Sequence, residues 1–255
     1  MKHFIISGFL LAGILASCGG AEESENTDAT NENIDSIVYT PLETGQIEKF
    51  ADLQILQYDI PGFHQLTLDQ KKLVYYLYEA GLSGRDMTWD QNYRHNLAIR
   101  NALEHIVQNY NGDQEDPEWL KFMTYTQRVW FSNGIHHHYS MEKFVPDFSR
   151  KYFDGLLVNT SATLSSEIVD KMFDNTADMK RVSLDGSKDL ILGSATNFYG
   201  ENITQEDVDA FYKEKMEAAG SHPVEFGLNS RLVKDENGVV SEEIWKADGM
   251  YGESI

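Results

Sequence analysis

A helical pattern running through Val129, Trp130 and Phe131 breaks at Asn133-Gly134, near the middle of a 255-residue chain. An Asn-Gly pair marks a turn, so the polypeptide must change direction there. The segment that follows, Ile135-His136-His137-His138-Tyr139, carries three histidines and a tyrosine. Phe144, Val145 and Pro146 then restore apolar character. No other segment sets so many polar functional groups between two apolar anchors. Residues 129–146 therefore read as one wall of a substrate cleft, with the rest of the chain as the scaffold that presents it.

Before this break the periodicity is helical. Residues 46–57 suit a short helix or a strand, and Pro61-Gly62 interrupts the chain. Thr67 and Gln70 fit a capping box, with Leu68, Leu73, Tyr76, Leu77, Ala80 and Leu82 at roughly helical spacing and Gly84 as the stop. Residues 86–91, Trp89 included, read as a polar turn. Residues 91–110 predict a second helix that points Tyr93, Leu97, Leu103 and Ile106 at a core. Asp116-Pro117 opens a third, as N-cap and first helical residue, with Trp119, Phe122, Tyr125 and Val129 on its buried stripe.

After the break the pattern is mixed. Residues 148–157 and 164–173 are short helical stretches, and 190–200 read as one or two strands with a glycine-marked bend. Thr204, with Asp207 three residues on, caps a helix reaching about Ala219. Residues 226–234 and 239–246 flank Asp235-Glu236-Asn237-Gly238, where Asn237-Gly238 would supply the positive φ angles of a tight hairpin. Helices first and strands afterwards, with one helix interposed, indicate an α+β fold. The sequence stops at Ser254-Ile255, just after the hairpin, which leads to the expectation of an incomplete domain with an unpaired strand edge and uncovered apolar faces. The helices between Thr67 and Phe131 are then expected to be the most persistent.

The N-terminus has a different character. Lys2, an apolar run from Phe4 to Leu15, and Leu15-Ala16-Ser17-Cys18 resemble a bacterial lipoprotein signal over residues 1–17. The run is too short for a permanent transmembrane helix. Cys18 is the only cysteine, so no intrachain disulfide forms, and it stands where lipidation needs a thiol. Residues 18–45 are rich in Gly, Glu, Asp, Asn, Ser and Thr and read as a flexible acidic tether. Glu22, Glu23 and Glu25 are an export address or simply part of that tether. The expected location is the bacterial cell envelope, with the membrane reached through lipid on Cys18. A formal charge of −20 and a pI near 4.6 repel phosphate backbones, so nucleic acid is excluded as a partner.

Motif chemistry is sparse. Extended backbone would put His136 and His138 on one face, but two imidazoles make an open site where a tight zinc site takes three or four ligands. Metal binding, cleft lining and a solvated loop all remain open for this run. No His-Glu-x-x-His, Gly-x-Ser-x-Gly, P-loop or dinucleotide fingerprint occurs. Arg85-Asp86 suits a buried or a surface ion pair.

Three segments in order resemble the dipeptidyl peptidase III family. The first is residues 129–146, with Ser132-Asn133 before the break and Lys143-Phe144-Val145-Pro146 after it. The second is Phe198-Tyr199-Gly200-Glu201-Asn202-Ile203-Thr204-Gln205-Glu206-Asp207, and the third Leu228-Asn229-Ser230-Arg231-Leu232-Val233-Lys234. Tyr75-Tyr76-Leu77 and Gly84-Arg85-Asp86 are similar to the bacterial branch. The resemblance spans residues 46–255. It implies the N-terminal part of the mixed lobe of a two-lobed zinc metallopeptidase, whose helical half precedes strands of a small β-barrel. It further implies release of dipeptides from the N-termini of short peptides. The loop holding Asn133, His138 and Tyr139 would border the cleft and contact peptide. The family's zinc ligands and catalytic glutamate have no counterpart in this sequence, so the chain alone is expected to bind no zinc and to leave peptides uncut. The alternative is a lipid-anchored lipoprotein that binds peptides or a partner without catalysis.

Overall fold

The structure is a computed structural model that describes residues 45–58, 60–220 and 229–249. The signal segment, Cys18, the tether up to residue 44, and residues 221–228 lie outside the described residues. Strands β1 (Gly45–Phe50) and β2 (Leu53–Gln57) pair antiparallel, so residues 46–57 resolve in favour of strands. A single 3-10 turn, Phe63–Gln65, leads to α1 (Leu68–Ser83). Thr67 Oγ1 accepts from Gln70 N while Gln70 Oε1 accepts from Thr67 N, the reciprocal capping box. None of α1's residues is buried.

The core begins at α2 (Arg85–Asn92), where a turn was expected. Two long-range contacts make this polar stretch helical. Trp89 is buried beneath the Arg100 guanidinium, 5.2 Å from its ring, and Asp86 pairs with Arg100 at 2.6 Å. Helix α3 (Asn96–Asn109) buries Ile99, Leu103 and Ile106. Helix α4 (Pro117–Ser132) buries Trp119, Phe122, Tyr125 and Val129. Helices α5 (Arg150–Thr160) and α6 (Ser166–Phe173) add Phe153, Leu156, Val169 and Met172 to the same cluster. Aromatic rings knit it together: Trp119 stacks between Tyr110 and Phe122, and Phe122 meets Phe148 edge-on.

Residues 190–200 form turns rather than strands. Asp189 Oδ1 accepts from Ile191 N and Leu192 N, and Ser194 Oγ donates to Leu190 O and accepts from Ser183 N. These side chains take up backbone groups that a ladder would need. One backbone bridge survives, parallel, between Tyr199 and Leu232. Helix α7 (Gln205–Ala219) starts at the Thr204–Asp207 box and packs Val208 with Ile203 and Leu232 in a second, smaller core.

Strands β3 (Ser230–Lys234) and β4 (Val240–Ile244) form the expected hairpin. Only Gly238 takes a positive φ, +81°, and Asp235 Oδ1 holds the amides of Asn237 and Val239. The connection is therefore a three-residue loop closed by a left-handed glycine, not a two-residue turn. Two small antiparallel sheets and seven α-helices make the described residues an α+β fold, and no closed barrel occurs among them.

Candidate functional site

Helix α4 stops because Asn133 turns left-handed (φ +51°) and Gly134 follows at φ +144°. Gly134 has no room for a side chain, since an added Cβ would stand 2.1 Å from Asn96 Nδ2. Asn96 is the clamp beneath the turn. Fully buried, it donates from Nδ2 to Trp89 O at 2.9 Å and accepts from Ile135 N at 3.1 Å. Asn92 Nδ2 donates to the Asn133 carbonyl at 3.0 Å. Asn96 precedes Ile99, Leu103 and Ile106 on the same buried face, and that polar residue in an apolar stripe was the available sequence signal for the clamp.

Beyond the turn the chain doubles back in a narrow hairpin. Phe144 N donates to Ile135 O, and His137 N donates to Glu142 O. His137 Nδ1 accepts from the amides of Tyr139 and Ser140, so this imidazole folds the tip and leaves Tyr139 86% exposed. The three histidines thus have different surroundings. His136 is buried, with Nε2 2.7 Å from the Asp178 carbonyl and its ring edge-on to Tyr93. His137 serves the backbone. His138 is exposed, stacked on His137 and 3.5 Å from Ser132 Oγ.

Burial pushes His136 down to about 4, against the raising effect of the Asp178 carbonyl, so it is neutral at pH 7. His138 is also lowered, first by desolvation and then by neighbouring His137. The run does not converge on one point. Among the described residues no group of three or more His, Cys, Asp or Glu could hold a metal ion.

Lys143, part of the first resembling segment, and Asp178, which carried no sequence signal, anchor the hairpin. Lys143 is buried, and its Nζ donates to the carbonyls of Lys171 and Ala177. Desolvation lowers its pKa, partly offset by Asp178. Asp178 accepts the Tyr93 hydroxyl at 2.7 Å. Burial and this carboxylate push the Tyr93 phenol far up, so it stays a donor.

A cavity of about 610 Å³ is lined by Tyr139 and Met141 of the hairpin together with Asp178, Lys180, Leu192 and Ala195. Tyr139 stands at this cavity. Asn133 and His138 are not among its walls; Asn133 caps α4, and His138 lies against Phe131 and Ser132 at the end of that helix. Smaller Asp178-lined space of about 160 Å³ continues toward Arg94, Tyr199 and Glu201.

Backbone hydrogen bonds carry this wall through the molecule. Lys143 N donates to Met179 O and Arg181 N to Met141 O. Ala195 N then donates to Lys180 O, and Thr196 N to Arg181 O. Asn197, buried, donates to Asp90 Oδ2 and accepts from Arg231. Leu232 N donates to Phe198 O, and Gly200 N to Leu232 O. No protein-family model matches the chain, and no curated protein matches it significantly.

Proposed function

We propose that this chain is the N-terminal portion of a zinc-dependent dipeptidyl peptidase, that it supplies part of the mixed lobe with its small β-barrel, and that it presents one wall of the cleft through which dipeptides leave the N-termini of short peptides. Zinc and its activated water belong, on this reading, to polypeptide outside these residues, and the chain alone leaves peptides uncut. Lipid on Cys18 would tether the protein in the bacterial cell envelope. Among the described residues no helix is long and apolar enough to cross a membrane.

The observation that supports this reading best is the continuity of the three resembling segments. Residues 141–143, 179–181, 195–199 and 230–234 are joined by successive backbone hydrogen bonds. The 610 Å³ cavity is lined by Met141, Met179, Lys180 and Ala195 from these segments, and the exposed Tyr139 beside them offers a ring for a peptide side chain. The decisive test is the coding sequence downstream of codon 255. A continuing frame with His-Glu-x-x-Gly-His is expected, and the longer protein should release dipeptides in a zinc-dependent way. A stop codon with no such motif within about two domain lengths sinks the reading.

The cavity also favours a second reading, an anchored lipoprotein that binds peptides or a partner without chemistry. Calorimetry with short peptides on the full chain separates the two. Millimolar or tighter binding, weakened by Tyr139→Ala, with no downstream motif, selects the second.

A further inference from the structure

We propose that Asn111 is a spontaneous modification site, converted by its own main chain to isoaspartate while the protein is folded. The inference is independent of the peptidase reading. Asn-Gly pairs occur three times, at 111, 133 and 237. Glycine has no side chain to shield its amide, so each pair carries the same intrinsic chemistry. The Gly amide nitrogen, on losing its proton, attacks the Asn side-chain carbonyl carbon. A new C–N bond closes a five-membered succinimide, the bond to Nδ2 breaks, and ammonia departs with that proton. Water then opens the ring. Addition at the side-chain carbonyl gives aspartate; addition at the main-chain carbonyl gives isoaspartate, with an extra methylene in the backbone. Either product carries a carboxylate at neutral pH where the amide was uncharged.

The attack needs a free amide and a side chain that can swing over it, and the fold restrains both at two of the three pairs. Gly134 is buried, its N donates to Val129 O at 3.0 Å, and an added Cβ has no room beside Asn96. Asn133 is held left-handed (φ +51°), its N donating to Trp130 O and its O accepting from Asn92 Nδ2. In the β3–β4 loop, Gly238 N donates to Asp235 O at 3.0 Å and Asn237 N to Asp235 Oδ1 at 2.9 Å. Asn237 itself is exposed, so its protection rests on Asp235.

Asn111-Gly112 differs. The pair follows the end of α3, where Tyr110 N donates to Ile106 O, and both residues are exposed. Among the described residues no group accepts from Gly112 N. The Asn111 amide makes one exposed hydrogen bond, from Nδ2 to Asn109 O at 3.1 Å. An added Cβ on Gly112 would stand 2.4 Å from the Tyr110 hydroxyl, and the Tyr110 ring stacks on Trp119. Gly112, Tyr110, Glu118 and Tyr152 line a cavity of about 440 Å³. Isoaspartate at 111 therefore lengthens the main chain, and adds a charge, at the edge of that cavity.

Peptide mapping by mass spectrometry on the full chain, aged in warm, mildly alkaline buffer, reads the three sites side by side. A mass gain of about one dalton, with isoaspartate, is expected first at 111, at least tenfold faster than at 133, with 237 between. In concentrated urea the three rates should converge to within a few-fold, because the fold and not the flanking residues ranks them. Asp235→Ala should speed conversion at 237 and leave 111 unmoved. Asn111→Gln should abolish the early acidic species on anion exchange. Asn111 intact while 133 or 237 converts overturns the proposal. Equal rates at all three sites in the folded chain, or the folded ranking kept in urea, overturn it as well.

Discussion

Helices α1 and α4 are both 16 residues long, and both begin with a side-chain cap. They nevertheless hold opposite positions in the molecule. Helix α4 keeps Trp119, Phe122, Tyr125 and Val129 on one side, where α3 and the residues after Pro146 cover them, and turns Lys121 and Arg128 outward. Helix α1 carries apolar residues all around, and none is buried. Caps and propensity suffice to start a helix, but an isolated helix of this length is marginal in water, and most helical stability comes from packing one face. The expectation of persistent structure from Thr67 to Phe131 therefore divides, with α3 and α4 stable by burial and α1 dependent on whatever covers it.

Core truncation should show this difference most strongly. Phe122→Ala removes a fully buried ring in contact with Trp119, Phe148 and Phe153, and should cost about 3–5 kcal/mol in chemical denaturation. Leu77→Ala, measured on dilute protein, should stay within about 0.5 kcal/mol. Equal costs for the two would show that α1 belongs to the cooperative core.

Acid should act next, through the segment behind α4 and not through α1. Burial pushes His136 down to about 4 in the folded chain, from the ordinary histidine value of 6.5. A base whose folded pKa is depressed refuses a proton that the unfolded chain accepts. Stability is therefore full above about pH 6.5 and declines as pH falls toward 4, by about 3 kcal/mol in all. His136→Gln keeps an N–H for the Asp178 carbonyl and should flatten this limb between pH 6.5 and 4. An unchanged pH profile would remove His136 as its source.

The smallest contrast lies in the caps. Asp116 Oδ1 accepts from Glu118 N at the head of α4, and Asp116→Ala should lower global stability by about 1 kcal/mol. Thr67→Ala should reduce helical ellipticity while leaving the midpoint of the melt unchanged. A midpoint shift matching that of Asp116→Ala would couple α1 to the core.

Much of the candidate site was visible in the chain. Asn133-Gly134 ends α4, the hairpin returns through Lys143 and Phe144, and Tyr139 stands at the cavity. The histidine run was ambiguous because three identical side chains in sequence received three environments: the Asp178 carbonyl beneath His136, the tip amides around His137, and solvent around His138. Asp178 was invisible because Tyr93 and His136, which it holds, lie 85 and 42 positions away, and no local pattern encodes such a pairing.

Local physics determined the elements whose causes are local. The Thr67–Gln70 and Thr204–Asp207 boxes, Asp116-Pro117, the left-handed turn after α4 and Gly238 act within a few residues, and each can be read from neighbours in sequence. The α+β order follows from them. Only the tertiary structure decided that residues 85–92 are helical, because the burial of Trp89 beneath Arg100 overrides a polar composition. It also decided that residues 190–200 are turns, because Asp189 and Ser194 capture their backbone groups. Hydrophobic periodicity records that a face is apolar, whereas burial depends on which surface meets it, and for that reason the stripe of α1 and the stripe of α4 read alike in sequence and differ in the fold.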